Sequence, residues 1–238
     1  MTKKGNSNKK TRKKYGKVII ILLLMYFAVG VIQNGDSIFP FLLESIEVND
    51  DSHIIPVSEE WNLIVVNRWN EIPEDYSVTL TELSNGQRVD SRIYPYLQEM
   101  FDAMRAEGIY PIIREGYRTA EEQQEILDDK IYAYIKEGYS RKRAEKLAKE
   151  WVAIPGTSEH QLGIAVDINA DKARSTNEEV YQWLAENAHQ YGFILRYPQR
   201  KEDITGTEYE PWHYRYVGTE AALEIFQSQM CLEEYMSN

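Results

Sequence analysis

Apolar positions along this chain repeat with two different periods, and the change of period divides the sequence. From about Ser91, residues Tyr94, Leu97, Met100, Phe101 and Met104 recur at spacings of three and four, the stripe of an amphipathic helix that stops at Gly108. Tyr110-Pro-Ile-Ile-Arg114 then predicts a strand and Glu115-Gly-Tyr-Arg118 a turn. Thr119, with Glu122 three residues on, has the form of a capping box that opens a second helix. A polar helix follows from about Ser140, its predicted cap, to Trp151. Beyond it the period shortens. Gly163-Ile-Ala-Val-Asp-Ile168 alternates like a strand, Thr176 to about Tyr191 returns to helical spacing, and Phe193–Leu195 and Trp212–Val217 read as short strands before a closing helix that begins at Ala221–Phe226. Upstream, Leu63-Ile-Val-Val66 predicts a buried strand near the start of the domain. Runs of helix followed by runs of strand predict an α+β domain with a small, mainly antiparallel sheet and flanking helices.

The first 58 residues follow a different pattern. Eight of the 27 basic residues lie within Met1–Lys17, where no acidic residue occurs. Val18 to Ile32 is then free of charge. A basic segment before an apolar stretch stays in the cytoplasm, so whatever follows is exported. The stretch is short for a bilayer core of ~30 Å. It reads as a membrane anchor over 18–32, or as a signal segment cleaved at the small residues Ala28-Val-Gly30. Residues 33–58, with Asn49, Asp50, Asp51 and Ser52 in one cluster, read as a stalk, and 59–238 as a single domain. Outside the basic segment, 19 basic residues face all 38 acidic ones. A surface so acidic repels phosphate backbones, which excludes nucleic-acid binding by the domain. Cys231 is the single cysteine, so no internal disulfide forms, and it reads as an inert residue near the end of the chain.

Four histidines are available for chemistry. His53 falls in the predicted stalk and reads as an exposed linker residue, and His189 sits near a helix end, where the dipole favours a cation. The other two have carboxylates at short spacing. His160 precedes Asp167 by seven positions, on a loop leading into a predicted strand, and Glu210 precedes His213 by three at the mouth of another. Neither spacing is distinctive alone, and Glu-x-x-His on a strand also reads as a surface ion pair. If the two strands are neighbours, His160, Asp167 and His213 supply three ligands and leave a fourth position open, the catalytic pattern for zinc. Glu210, left free, can then move protons; were it also a ligand, the site would be closed and structural.

Taken together, Ser158-x-His160-x-x-Gly163-x-Ala165-x-Asp167, Glu210-x-Trp212-His213 downstream and Gly116-Tyr117-Arg118 upstream resemble the VanY-type D-alanyl-D-alanine carboxypeptidases over about Leu63 to Phe226. The resemblance implies a zinc peptidase acting on bacterial cell-wall peptides. It implies Zn2+ bound by His160, Asp167 and His213, and Glu210 as catalytic acid and base. Arg118 would bind and polarise the substrate, with Gln123 and Ser158 helping to hold the terminal D-Ala carboxylate. Trp212 is equally placed to line the cleft or to join the core, whereas Tyr197 reads first as core. Leu162 stands where many relatives carry a small or hydroxyl residue, which points to a different pocket rim. The expected activity is removal of the terminal D-Ala from peptidoglycan stem peptides or lipid-linked precursors outside the membrane. The alternatives are an L,D-carboxypeptidase, an endopeptidase on the same peptides, or a non-catalytic cell-wall binding module. A part in glycopeptide resistance is a family-level expectation.

Overall fold

The computed structural model describes residues 53–58 and 60–237. The predicted anchor over 18–32 lies outside them, and among the described residues no helix is long and apolar enough to cross a membrane.

The chain runs β1 (Leu80–Glu82), β2 (Arg88–Asp90), α1 (Tyr94–Ala106), β3 (Pro111–Glu115), α2 (Ala120–Lys136), α3 (Arg141–Trp151), a 3-10 turn (Glu159–Leu162), β4 (Ala165–Ala170), α4 (Asn177–Asn187), a second 3-10 turn (Ala188–Tyr191), β5 (Phe193–Leu195), α5 (Glu202–Thr205), β6 (His213–Tyr216), α6 (Thr219–Ser228) and α7 (Leu232–Met236). β1 and β2 form a hairpin, and the remaining strands form one sheet in the order β3-β4-β6-β5. Every pairing in that sheet is antiparallel.

Strand alternation divides the work of this sheet. Val166, Ile168 and Ala170 of β4 and Tyr214 and Tyr216 of β6 point to one face, where α1 and α4 cover them with Leu97, Met100, Phe101, Met104, Val180, Trp183 and Leu184. Burying each of these large apolar side chains contributes about 1.5–3 kcal/mol. The residues between them, Asp167 on β4 and His213 and Arg215 on β6, therefore share the opposite face. At one end that face is closed by a smaller core of Val65, Ile194, Val217, Ala222, Ile225 and Leu232. At the other end it opens into a cleft flanked by the α2–α3 hairpin, which packs on a small core of its own around Leu127, Ile131, Ala144 and Ala148.

Several sequence expectations need correction. Ile64, Val65 and Val66 are buried as predicted, but they join no ladder; the carbonyls of Asn62 and Ile64 accept instead from the Arg215 guanidinium. Ser140 occupies the cap position of α3 without a side-chain capping bond. The helix predicted from Thr176 to Tyr191 is α-helical only to Asn187 and then tightens to a 3-10 turn. The end of the predicted stalk packs on the domain, where His53 stacks on Trp69 with ring centroids 3.9 Å apart and Ile55 N donates to Asn70 Oδ1. His189 stacks on Phe226 at 3.7 Å, and burial lowers its pKa, which works against the charge that a helix end would favour. Cys231 is buried, with its thiol pushed up to about 12 by burial, in keeping with an inert role.

Candidate metal centre and active site

Three elements deliver the ligands. Asp167 and His213 are direct cross-strand partners in the β4–β6 ladder, so the register alone places their side chains together on the cleft face. His160 comes from the 3-10 turn before β4, which ends in Gly163 at φ 74. A Cβ at Gly163 would lie 3.0 Å from Val78 Cγ2 and 3.2 Å from Asp90 N, so both the conformation and the close approach require glycine. One ligand atom from each of the three residues fits within 4.8 Å of the others. Asp167 Oδ1 lies 3.0 Å from His213 Nδ1 and 3.5 Å from His160 Nε2.

The atoms left over indicate a cation. Asp167 Oδ1 is buried and accepts no hydrogen bond. His160 Nδ1 is 2.9 Å from the carbonyl of Gly116, to which it can only donate, and this leaves the Nε2 lone pair aimed at the gap. On His213 the roles reverse, with Nδ1 on the gap and Nε2 facing the Glu159 carboxylate at 3.6 Å. Two imidazole nitrogens and a carboxylate oxygen, each ring set by a group behind it, suit zinc with a position left for a reactant. Burial disfavours charge on Asp167, but His160 and His213 outweigh it and hold the carboxyl well below its ordinary range. Burial likewise pushes His213 down. The carboxylates of Asp167 and Glu159 beside it outweigh this and, without a metal, raise it to about 9.

Around this centre the chain assembles the other expected residues. Arg118, Gln123, Ser158, Glu210 and Trp212 line the same cleft of about 600 Å³ as the three ligands, as does Tyr197. Glu210 Oε2 is 3.7 Å from His213 Nδ1, over the metal side of the ring. Burial raises the Glu210 carboxyl above its ordinary value, against the pull of His213 and with the charge of Asp167 adding to the rise. The capping box of α2 is present, formed by Thr119 and Glu122. It sets Arg118 and Gln123 at the two positions where a hydrophobic staple would otherwise sit. Here the contact is polar: Arg118 Nη1 donates to Gln123 Oε1 at 2.7 Å, and Gln123 Nε2 donates to the carbonyl of Ala153 at 2.7 Å. Gln123 thus braces the guanidinium, whose Nε is buried without a partner. Gly116 is needed here for space, since a Cβ would meet the carbonyl oxygen of Arg88 at 2.2 Å. Tyr197 is buried as read from the sequence, yet its ring also lies 4.8 Å from that of His213.

Residues 86–219 match the family profile described as VanY: D-alanyl-D-alanine carboxypeptidase. The chain belongs to this family. A D-alanyl-D-alanine carboxypeptidase of Enterococcus faecalis is 59% identical over 179 residues, covering 75% of this chain and 67% of the relative. Among solved structures, the complex of VanYB with D-alanine-D-alanine is 59% identical, with a TM-score of 0.72 over 75% of this chain and 99% of the other. A variant of the vancomycin resistance D,D-pentapeptidase VanY from a VanB-type cassette, in complex with Zn(II), is 60% identical, with a TM-score of 0.71 over 74% of this chain and 99% of that one. The LdcB LD-carboxypeptidase is more distant, 34% identical with a TM-score of 0.64, covering 77% of this chain and 94% of the other. In this VanY-family chain the zinc site is His160, Asp167 and His213.

The sequence reading passed over three charged residues behind the site. Glu159, Arg196 and Arg215 are each at most 1% exposed and pair with one another. A signal existed: Arg215 interrupts the otherwise apolar run Tyr214 to Val217, and Arg196 directly follows Phe193-Ile-Leu195. A charge inside a buried strand must have a buried partner.

Proposed function

We propose that the protein is a zinc-dependent D,D-carboxypeptidase that removes the C-terminal D-Ala from peptidoglycan stem peptides or their lipid-linked precursors. The observation that carries this reading is the convergence of Glu210 and Arg118 on the His160–Asp167–His213 centre in one cleft. The 59% identity to an enterococcal enzyme of that activity and to a structure holding D-alanine-D-alanine supports it. Zinc bound at the site supplies Lewis acidity toward the scissile carbonyl and the attacking water.

The chain's own residues supply the rest. Arg118, braced by Gln123, presents a half-buried guanidinium that can pair with the terminal carboxylate and with negative charge developing on the carbonyl oxygen. Ser158 and Trp212 complete the walls against which the terminal D-Ala is held. Glu210 takes the proton from the attacking water as its oxygen bonds to the carbonyl carbon. As the C–N bond breaks, the same carboxyl delivers that proton to the departing D-Ala nitrogen. Burial supports this double role, because a carboxyl with a raised pKa takes up the water's proton more readily and carries it until the departing amine accepts it.

The basic segment at 1–17 and the apolar stretch at 18–32 support a location outside the cytoplasmic membrane, tethered there or released by cleavage, which is where such peptides lie. The deciding assay is free D-Ala release from a pentapeptide ending in D-Ala-D-Ala and from a tetrapeptide ending in one D-Ala, with and without a chelator. The expected result is chelator-sensitive release from the pentapeptide alone. Release from the tetrapeptide alone would transfer the reading to an L,D-carboxypeptidase. Zinc binding with release from neither would leave an endopeptidase or a binding module.

A further inference from the structure

Glu159 stands between the zinc site and a buried cluster of charge. Its Oε1 accepts from Arg196 Nε and from Arg215 Nη1, each at 2.7 Å. Its Oε2 faces His213 Nε2 at 3.6 Å, and neither of these two atoms has a hydrogen-bond partner elsewhere among the described residues. With Nδ1 of His213 given to the metal, Nε2 carries the ring proton and points it at this carboxylate, the arrangement that fixes the orientation of a metal-ligating histidine. Of the two guanidiniums that hold Glu159, Arg215 is fixed by the carbonyls of Asn62, Ile64 and Tyr216, so the grip on Glu159 varies with how firmly Arg196 is held. Arg196 is gripped from the far side by Glu233 on α7 in a two-pronged pair, Nη1 to Oε2 at 2.8 Å and Nη2 to Oε1 at 2.6 Å. Asn67 Nδ2 donates to Glu233 Oε1 at 3.0 Å and fixes that carboxylate in turn.

Two carboxylates and two guanidinium groups balance here, with no side chain of the four more than 5% exposed. Neutralising Glu233 leaves an uncompensated positive charge on Arg196, behind a site that must hold a dication. It also frees Arg196 to draw both oxygens of Glu159 away from the His213 ring. Both effects act against the metal. A network serving stability alone would not need one free carboxylate oxygen aimed at a ligand's ring nitrogen. We propose that Glu233 is a positioning residue for the zinc site, acting through Arg196 and Glu159 on His213, so that the last helix supports the metal although it lies beyond the matched residues 86–219. This inference concerns the metal site and does not depend on which peptide is cleaved.

The test is zinc affinity, measured by chelator competition at fixed pH on folded protein. Glu233→Gln keeps the shape and a partner for Asn67 but removes the charge. Ile225→Ala is the control, because it thins the small core that also holds Leu232 while leaving every charge in place. Glu233→Gln should weaken zinc binding about tenfold or more, the scale for groups behind metal ligands, and Ile225→Ala should change it less than about twofold by the same comparison. Glu159→Gln should show a similar loss, and adding Glu233→Gln to it should weaken binding by less than Glu233→Gln does alone, because only the charge left on Arg196 still acts. Should Glu233→Gln fail to fold, Glu233→Asp keeps the charge on a shorter arm and should give a partial loss. An unchanged zinc affinity in the folded Glu233 variant, or losses that multiply in the double variant, would overturn the proposal. Failure to release D-Ala would count against the proposed activity and leave this readout untouched.

Discussion

The two sides of the His213 ring face opposite kinds of polar environment. In front, Asp167 Oδ1 and Arg118 Nε are buried without partners, and Glu210 is held above its ordinary pKa. Behind, Glu159, Arg196, Arg215 and Glu233 pair so completely that Glu159 Oε2 alone is left over, and it points at the ring. Both regions hold charge out of water, which is costly unless the charge is matched. The back is matched within the protein; the front is matched only when a metal and a substrate arrive. The chemistry therefore belongs to the unsatisfied side, and the satisfied side keeps one ring in register with it.

Substitutions should separate the two sides by what they damage. The largest effect is expected in front. Glu210→Gln keeps the size and the cleft but removes the proposed proton carrier, so kcat should fall about 10³-fold, equivalent to about 4 kcal/mol. Zinc content and thermal stability should stay as in the unsubstituted protein. Full activity, or loss of the metal along with activity, would defeat the role given to this carboxyl. Next comes the back. Arg215→Met deletes one of the two guanidiniums on Glu159 and strands the carbonyls of Asn62 and Ile64. Breaking a buried pair in this way should cost about 3 kcal/mol or more in unfolding experiments. The zinc affinity of the folded variant should nevertheless not weaken, because Arg196, gripped by Glu233, still holds Glu159 and one positive charge is gone from behind the site. A loss of zinc affinity matching that of Glu233→Gln would show that the two sides are coupled by general loosening rather than by charge and geometry.

The front was far more legible in the sequence than the back, for a physical reason. Metal ligands and proton carriers must be particular residue types at positions fixed by local structure, so His160, Asp167, Glu210 and His213 stand out within two short segments. Thr119 and Glu122 were legible in the same way, because a cap depends on four consecutive residues. The back joins Asn67, Glu159, Arg196, Arg215 and Glu233, which are distant in sequence and share no spacing. Only the folded chain puts them together, with Arg215 on β6, Glu159 on the turn before β4, Arg196 just after β5 and Glu233 on α7. The misread segment Leu63–Val66 failed for the same reason. Its apolar run was correctly taken as buried, but which group would satisfy its carbonyls depended on Arg215, far along the chain.

The smallest expected effect arises where the two sides meet, and it is a pH dependence. Without metal, the neighbouring carboxylates of Asp167 and Glu159 raise His213 from its ordinary 6.5 to about 9 despite burial. A folded-state pKa above the unfolded value means that the protonated ring stabilises the metal-free fold. That contribution is fully present below 6.5 and is lost as pH rises toward about 9. Zinc needs the same nitrogen deprotonated, so binding must displace that proton. Between pH 7 and pH 9 the apparent zinc affinity should therefore climb about tenfold per unit, about 1.4 kcal/mol each, and level off above. Over the same interval the metal-free protein should unfold at progressively lower temperature, and the increase in unfolding temperature on adding zinc should grow. In Glu159→Gln the ring loses one of the three carboxylates that raise it, so the plateau should begin at lower pH. An affinity flat across this interval would mean that His213 is already neutral in the metal-free protein. The carboxylate behind the ring would then be orienting it without holding its second proton, and the two sides would differ in geometry alone.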